Sequence, residues 1–114
     1  MKIVKKNIKI EELEKMSKKM FGSLVKAVVD VEKEIMAING DLHADEEALL
    51  IEKGSKQENL WGINLYPQLK DKKNFIEFDS IINLRPSSGN KTRGVDDLSV
   101  RKKIRKIINK LIIK

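Results

Sequence analysis

The C-terminal segment places its apolar and charged residues on opposite sides of a helix. Apolar side chains recur at helical spacing, at Val100, Ile104, Ile107, Ile108, Leu111 and Ile112. Seven cations fill the positions between and after them: Arg101, Lys102, Lys103, Arg105, Lys106, Lys110 and Lys114. This spacing predicts a helix from about Leu98 to Ile113 with one solvated face and one buried face. Such a helix needs an apolar surface to cover, so the rest of the chain has to supply one.

The same segment carries the whole net charge of the protein. The 114 residues contain 24 Lys and Arg against 17 Asp and Glu, for a formal charge of +7. Because seven of the cations follow residue 100 and all of the acids precede it, residues 1–100 are neutral overall. The sequence therefore indicates a neutral domain with one basic element, and it excludes a uniformly basic protein of the histone kind.

The first part of the chain shows both strand and helix signals. Lys2 to Lys6 can form a short edge strand, and the apolar spacing from Ile10 predicts a helix that ends at Gly22-Ser23. Residues 24–38 fit a half-buried strand and also fit a helical stripe. Their many valines favour the strand, and Asn39-Gly40 is a turn in either case.

Residues 41–53 carry the signals of a second helix. Asp41 is placed to cap it, acids occupy its first turn, and Gly54 is placed to end it. The alternative is a strand from Ala48 to Lys53 that forms a hairpin with the strand after it. We take the helix as the prediction.

Two further strands are predicted before a polar loop. Residues 60–66 form a strand that Pro67 ends, and residues 75–85 alternate apolar and polar side chains. The short connection between them predicts an antiparallel pair. Small and polar residues then fill the loop from Pro86 to Asp97.

These elements predict an α+β fold in a single domain over residues 1–114. We expect an antiparallel sheet with the N-terminal and C-terminal amphipathic helices packed on one face, and a third helix at 41–53. The absence of cysteine excludes disulfides and thiolate zinc sites. The longest apolar run, Ala48 to Ile51, is far too short to span a membrane, and the N-terminus has no signal-peptide pattern. We therefore expect a cytoplasmic protein with no membrane partner, and we predict no cofactor and no metal.

The loop from Asn83 to Gly94 is the strongest candidate for a binding site. Arg85 precedes its centre and Arg93 follows it, although the chain uses Lys far more often than Arg. Arg presents a planar fork to phosphate or carboxylate, and backbone amides of Ser, Gly and Asn can line an anion site. The predicted ligand-binding residues are Asn83, Arg85, Ser87, Ser88, Asn90 and Arg93. The alternative is an ordinary turn whose polar groups satisfy their own backbone.

A catalytic role is the second hypothesis, and it depends on the single histidine. His43 stands close to Asp45 in the sequence, and Asp79 is the best carboxylate partner from a neighbouring strand. Asp79, Asn83 and Arg85 are expected on one face of their strand, either around a site or simply in solvent. Acids in a first helical turn also favour the helix dipole, and a lone histidine is often a surface or capping residue. Trp61 is expected in the core.

The basic helix is a candidate nucleic-acid interface, with Arg101, Lys102, Arg105 and Lys106 as its contacts. No acid follows Asp97 in the sequence, so no acid lies among these residues and their charge is available to phosphates. The alternative is a helix whose outer side is charged only because it must be solvated. Membrane-surface binding is less favoured, because the Ile stripe is needed to cover the sheet.

Four segments resemble a family of small bacterial and archaeal proteins known only as a domain of unknown function. They are Val25 to Lys33, Leu42 to Leu50, Gly54 to Pro67 and Ile82 to Gly94. The resemblance implies a stand-alone prokaryotic cytosolic protein and supplies no activity, cofactor or catalytic residue. Three hypotheses follow: a binding module for a phosphate-containing ligand or nucleic acid, a small enzyme that uses His43, and an interaction protein that forms a homodimer.

Overall fold

The computed structural model describes all residues, 1–114, and contains a five-stranded antiparallel sheet and three helices. The elements in chain order are β1 (Lys2–Val4), β2 (Ile8–Lys9), α1 (Ile10–Met20), β3 (Val25–Asp30), β4 (Ile35–Ile38), α2 (His43–Glu52), β5 (Leu60–Leu65), β6 (Ile76–Glu77), α3 (Leu98–Leu111) and β7 (Ile112–Ile113). The sheet order is β1-β4-β3-β5-β6, and β2 pairs with β7 in a separate parallel ladder. The predicted α+β class is confirmed.

Helices α1 and α3 cover one face of this sheet, as predicted. Ile10 and Leu13 of α1 and the Ile stripe of α3 join one core with the alternate residues Val25, Ala27 and Val29 of β3. Both helices are strongly amphipathic, so burying their apolar stripes on a sheet is the arrangement that removes most apolar surface from water. No helix is both long and apolar enough to cross a membrane.

Helix α2 lies on the opposite face, and it confirms the predicted third helix. Its Leu50 packs in a smaller cluster with Val28, Ala37 and Leu60, which point away from the main core. Three layers result, with the sheet between α2 and the pair of terminal helices. The alternative strand from Ala48 to Lys53 is wrong.

Residues 24–38 form a β-hairpin, so the strand interpretation is confirmed and the helical one is wrong. In the pairing of β3 with β4, Ala27 lies opposite Ile38 and Asp30 lies opposite Ile35. The turn between them is held by Asp30, whose carboxylate accepts the N–H groups of Glu32 and Lys33, each at 2.9 Å. The Ser55 hydroxyl donates to the other oxygen of this carboxylate at 2.6 Å.

The predicted strand over residues 75–85 is wrong beyond Glu77. Only Ile76 and Glu77 pair with β5, and residues 81–83 form a 3₁₀ turn. The alternation of apolar and polar residues did not produce a strand, because this segment leaves the backbone ladder. Gly62 leaves room for Ser80 to approach β5, and the side chain of Asn83 pairs with the Gly62 backbone. The last helix is also shorter than predicted, because Ile112–Ile113 form β7.

Candidate functional site

Asn83 fastens the candidate loop to the sheet. Its side chain is fully buried and its Oδ1 accepts the Gly62 N–H at 2.8 Å. Its Nδ2 donates to the carbonyl oxygens of Gly62, at 2.9 Å, and Arg93, at 3.0 Å. The amide therefore replaces a neighbouring strand for one residue of β5, and it has no free group for a ligand.

Asn90 closes the same loop from inside. Its Nδ2 contacts the carbonyl oxygens of Asn83, Thr92 and Gly94 at 2.7, 3.1 and 2.8 Å. Its Oδ1 accepts the Asp96 N–H at 2.8 Å. The side chain is buried, and both of its polar atoms are used within the protein.

Arg85 joins the loop to the start of β5. Its guanidinium donates to the carbonyl oxygens of Gln57, at 3.1 Å, and Leu60, and lies 4.3 Å from the ring centre of Trp61. Burial lowers the pKa of Arg85, and the nearby Glu47 opposes this effect. Trp61 is only partly buried, where it packs against the main core. The Arg85 guanidinium, which was predicted to bind an anion, therefore donates to backbone carbonyl oxygens instead.

The outer part of the loop stays accessible. Arg93 pairs with Asp79 through Nε and Oδ1 at 2.8 Å, and both side chains are about half exposed. Ser87 and Ser88 are exposed on a short 3₁₀ turn over residues 86–88. The predicted set thus divides into the buried anchors Asn83 and Asn90, the partly buried Arg85, and exposed groups at the surface.

His43, the first residue of α2, is buried and held in its neutral form. Its Nε2 lies 2.8 Å from the Ile63 carbonyl oxygen, so Nε2 carries the proton and Nδ1 is the free acceptor. Burial lowers the pKa of His43, while the Ile63 carbonyl and Asp79 oppose that effect, and Lys26 and Arg93 add to it. Asp79 therefore lies within electrostatic reach of His43 but forms no hydrogen bond with it. Asp45 is exposed on the same helix.

Glu46 is the buried group that sequence reasoning missed. It is fully buried, with Oε2 accepting the Gly40 N–H at 2.9 Å and Oε1 without a partner. Burial raises the pKa of Glu46 to about 9. The carboxyl group is therefore protonated at neutral pH. Its position could have been suspected from the sequence, because Glu46 lies three residues after His43 and four before Leu50, on one side of α2.

No group of three or more carboxylates and imidazoles is placed to hold a metal ion. The buried polar side chains of α2 and of the candidate loop instead form hydrogen bonds with backbone groups of the protein itself. These bonds attach α2 and the loop to the rest of the fold.

The cationic face of α3 carries six of the seven cations that follow residue 100. We define it as Arg101, Lys102, Lys103, Arg105, Lys106 and Lys110, which lie opposite the buried Ile and Leu side chains. Only Lys110 of this set forms an ion pair, with Glu34 at 3.1 Å. Lys110, followed by Lys103 and Lys106, lowers the pKa of Glu34.

The two sides of this face contact different parts of the protein. The guanidinium groups of Arg101 and Arg105 lie 5.1 and 4.9 Å from the ring centre of Phe78. Arg101 also donates from Nε to the carbonyl oxygen of Val95, the residue after the candidate loop, at 2.6 Å. On the other side, Lys110 reaches Glu34 in the β3–β4 turn.

A groove lies along each side of the cationic face. One has a volume of about 340 Å³, and its cations are Lys70, Lys72, Arg105 and Lys114. The other has a volume of about 610 Å³, and its cations are Lys102, Lys103, Lys106 and Lys110. Each groove contains a single acidic residue, Asp71 in the first and Glu34 in the second. Lys70, Lys72 and Lys114 thus add to the cations of α3 itself on the exposed side of this helix.

Comparison with protein families matches residues 2–111 to a family described as "Protein of unknown function (DUF5674)". The chain belongs to this family. Its sequence profile covers nearly the whole chain, so the resemblance found in the sequence is confirmed. Neither the curated proteins nor the solved structures include a match. Membership of DUF5674 assigns no activity, and any functional assignment has to come from the residues themselves.

Proposed function

We propose that this DUF5674 protein binds nucleic acid through the cationic face of α3. The observation that carries the proposal is the state of those six cations: they share one exposed helix face, and five of them have no ion pair. A row of unpaired cations attracts phosphates and releases the counterions that phosphates hold, which favours binding.

The distribution of charge over the chain supports this choice. Residues 1–100 are neutral overall, so the positive potential is concentrated at α3 rather than spread over the surface. The connection between β5 and β6 contributes Lys70 and Lys72 to one groove, which widens the basic surface beyond the helix. The lysines of α3 lower the pKa of Glu34, which is the direction expected for a carboxylate beside concentrated positive charge.

The candidate loop has a supporting position in this proposal. Val95, the residue after the loop, accepts a hydrogen bond from Arg101 and so fixes the beginning of α3, while Ser87, Ser88 and Arg93 stay exposed at the loop surface. The proposal includes a cytoplasmic location in a prokaryotic cell, as the family resemblance implied.

Fluorescence anisotropy with labelled nucleic acid at low salt tests the proposal. The variant Lys102→Glu/Lys106→Glu reverses two charges on the cationic face, and we expect it to weaken binding by roughly tenfold or more. The control is Lys53→Glu/Lys56→Glu, which makes the same change in net charge at exposed positions just after the end of α2. It should retain most of the affinity, because α2 lies on the opposite face of the sheet. Absence of binding by the unmodified protein, or an equal loss in both variants, would refute the proposal.

A further inference from the structure

We infer that the nucleic acid bound at the cationic face is duplex DNA, with α3 in the major groove and its two sides against the two backbones. This inference rests on the proposed function and specifies the class of partner. It depends on three features of α3: its length, the division of its cations into two rows, and the aromatic rings beside it.

The cations form one row on each side of the helix. At about 100° per residue, Arg101 and Arg105 fall on one side, while Lys103, Lys106 and Lys110 fall on the other. The contacts agree with this division, because the arginines stack on Phe78 and the lysines surround Glu34. Lys102 lies between the two rows.

The rows match the two strands of a B-form duplex. Helix α3 has 14 residues, which corresponds to a length of about 21 Å. The major groove, about 12 Å wide, admits one α-helix and places a phosphate backbone on each side of it. A single strand offers only one backbone at a time, so it leaves one row without a partner. The major groove of A-form RNA is too narrow and deep for this arrangement.

The aromatic rings near the face are covered, which also favours a duplex. Proteins that bind single strands stack bases on exposed rings. Here Phe78 lies beneath Arg101 and Arg105. Phe75 is 4% exposed and lies 4.9 Å from the Lys114 ammonium group. The face therefore offers charge on both sides and no free ring for a base.

Competition among three ligands of one sequence tests the inference: a 20-base-pair DNA duplex, one of its single strands, and the corresponding RNA duplex. We expect the DNA duplex to bind about tenfold more tightly than either of the others. A single strand that binds equally well would overturn the inference and leave the proposed function intact, and an RNA duplex that binds equally well would do the same. If none of the three binds at low salt, the proposed function fails as well.

Two matched variants test the two-row arrangement. Arg105→Gln removes one charge from the first row and Lys106→Gln removes one from the second, and both side chains are exposed. Each should reduce the slope of log K against log salt for the DNA duplex by about one. Thermal melting establishes that both variants are folded. A change in slope for one variant only would show that a single row binds, and would contradict the inference.

Discussion

The buried acid Glu46 predicts an unusual loss of stability with rising pH. Its carboxyl group has no countercharge beside it, and burial raises its pKa from 4.5 to about 9. The Gly40 N–H, Lys26 and the N-terminal amine only partly oppose this effect. The folded protein therefore keeps a proton on Glu46 that the unfolded chain releases above pH 4.5.

The sign and size follow from this difference in proton binding. Above pH 4.5 the unfolded state binds fewer protons than the folded state, so the free energy of unfolding falls as pH rises towards 9. Each pH unit removes about 1.4 kcal/mol, which amounts to roughly 3 kcal/mol at pH 7. Between pH 7 and pH 9 the further loss is about 2 kcal/mol, since the slope flattens as the folded pKa is reached.

His43 acts in the opposite direction on the acid side. Its pKa is lowered from 6.5 by burial, so below pH 6.5 the unfolded chain takes up a proton that the folded protein excludes. Stability from His43 is therefore present above pH 6.5 and is lost as pH falls towards its folded pKa. Below pH 6.5 the slope from His43 therefore opposes that from Glu46, and above it only that of Glu46 remains.

Urea unfolding at a series of pH values measures this profile. For the unmodified protein we expect a decline from pH 6.5 to 9 and a shallower slope just below pH 6.5. Glu46→Gln should remove the decline and raise the free energy of unfolding at pH 8. Asp45→Asn, at an exposed acid on the same helix, should keep the decline. A decline that persists in Glu46→Gln, or a flat profile in the unmodified protein, would refute this reasoning.

Three substitutions test how the candidate loop is attached. Gly62→Ala should destabilise the fold by about 2 kcal/mol in urea unfolding, because the new Cβ would lie 2.6 Å from the Cβ of Ser80; adding Ser80→Gly should restore part of it. Asn83→Ala should lower stability by about 3 kcal/mol, since it leaves the Gly62 amide and two carbonyls without their partner. Arg85→Lys should cost about 1 to 2 kcal/mol, because Lys keeps the charge but loses the fork and the stacking on Trp61. A melting temperature within a degree of the unmodified protein would contradict the corresponding prediction.

The terminal helices could be predicted because their own pattern determines their place. Helices α1 and α3 run for 11 and 14 residues, long enough for the helical period to be unambiguous. An apolar stripe of that length has to be covered, and the opposite side has to be solvated. The helical period also identified the cationic face from the sequence, because the positions of its cations on α3 follow from their spacing alone.

The loop and the buried groups of α2 depend on partners that are distant in the chain. The alternation over residues 75–85 indicated a strand, but Asn83 takes the place of backbone pairing only because Gly62 lies opposite it in the fold. Likewise, the spacing from His43 and Leu50 can place Glu46 on the inner side of α2, but it does not reveal that Gly40 donates to its carboxyl group. These contacts join residues whose spacing carries no signal in a single sequence.

The salt dependence of binding to a DNA duplex tests the central claim most directly. The cationic face carries six cations, five of them without an ion pair, and each phosphate contact contributes about 0.9 to the slope of log K against log salt. The account predicts tight binding at low salt and a slope between about −3 and −5. A slope near zero, or no binding at low salt, would contradict it.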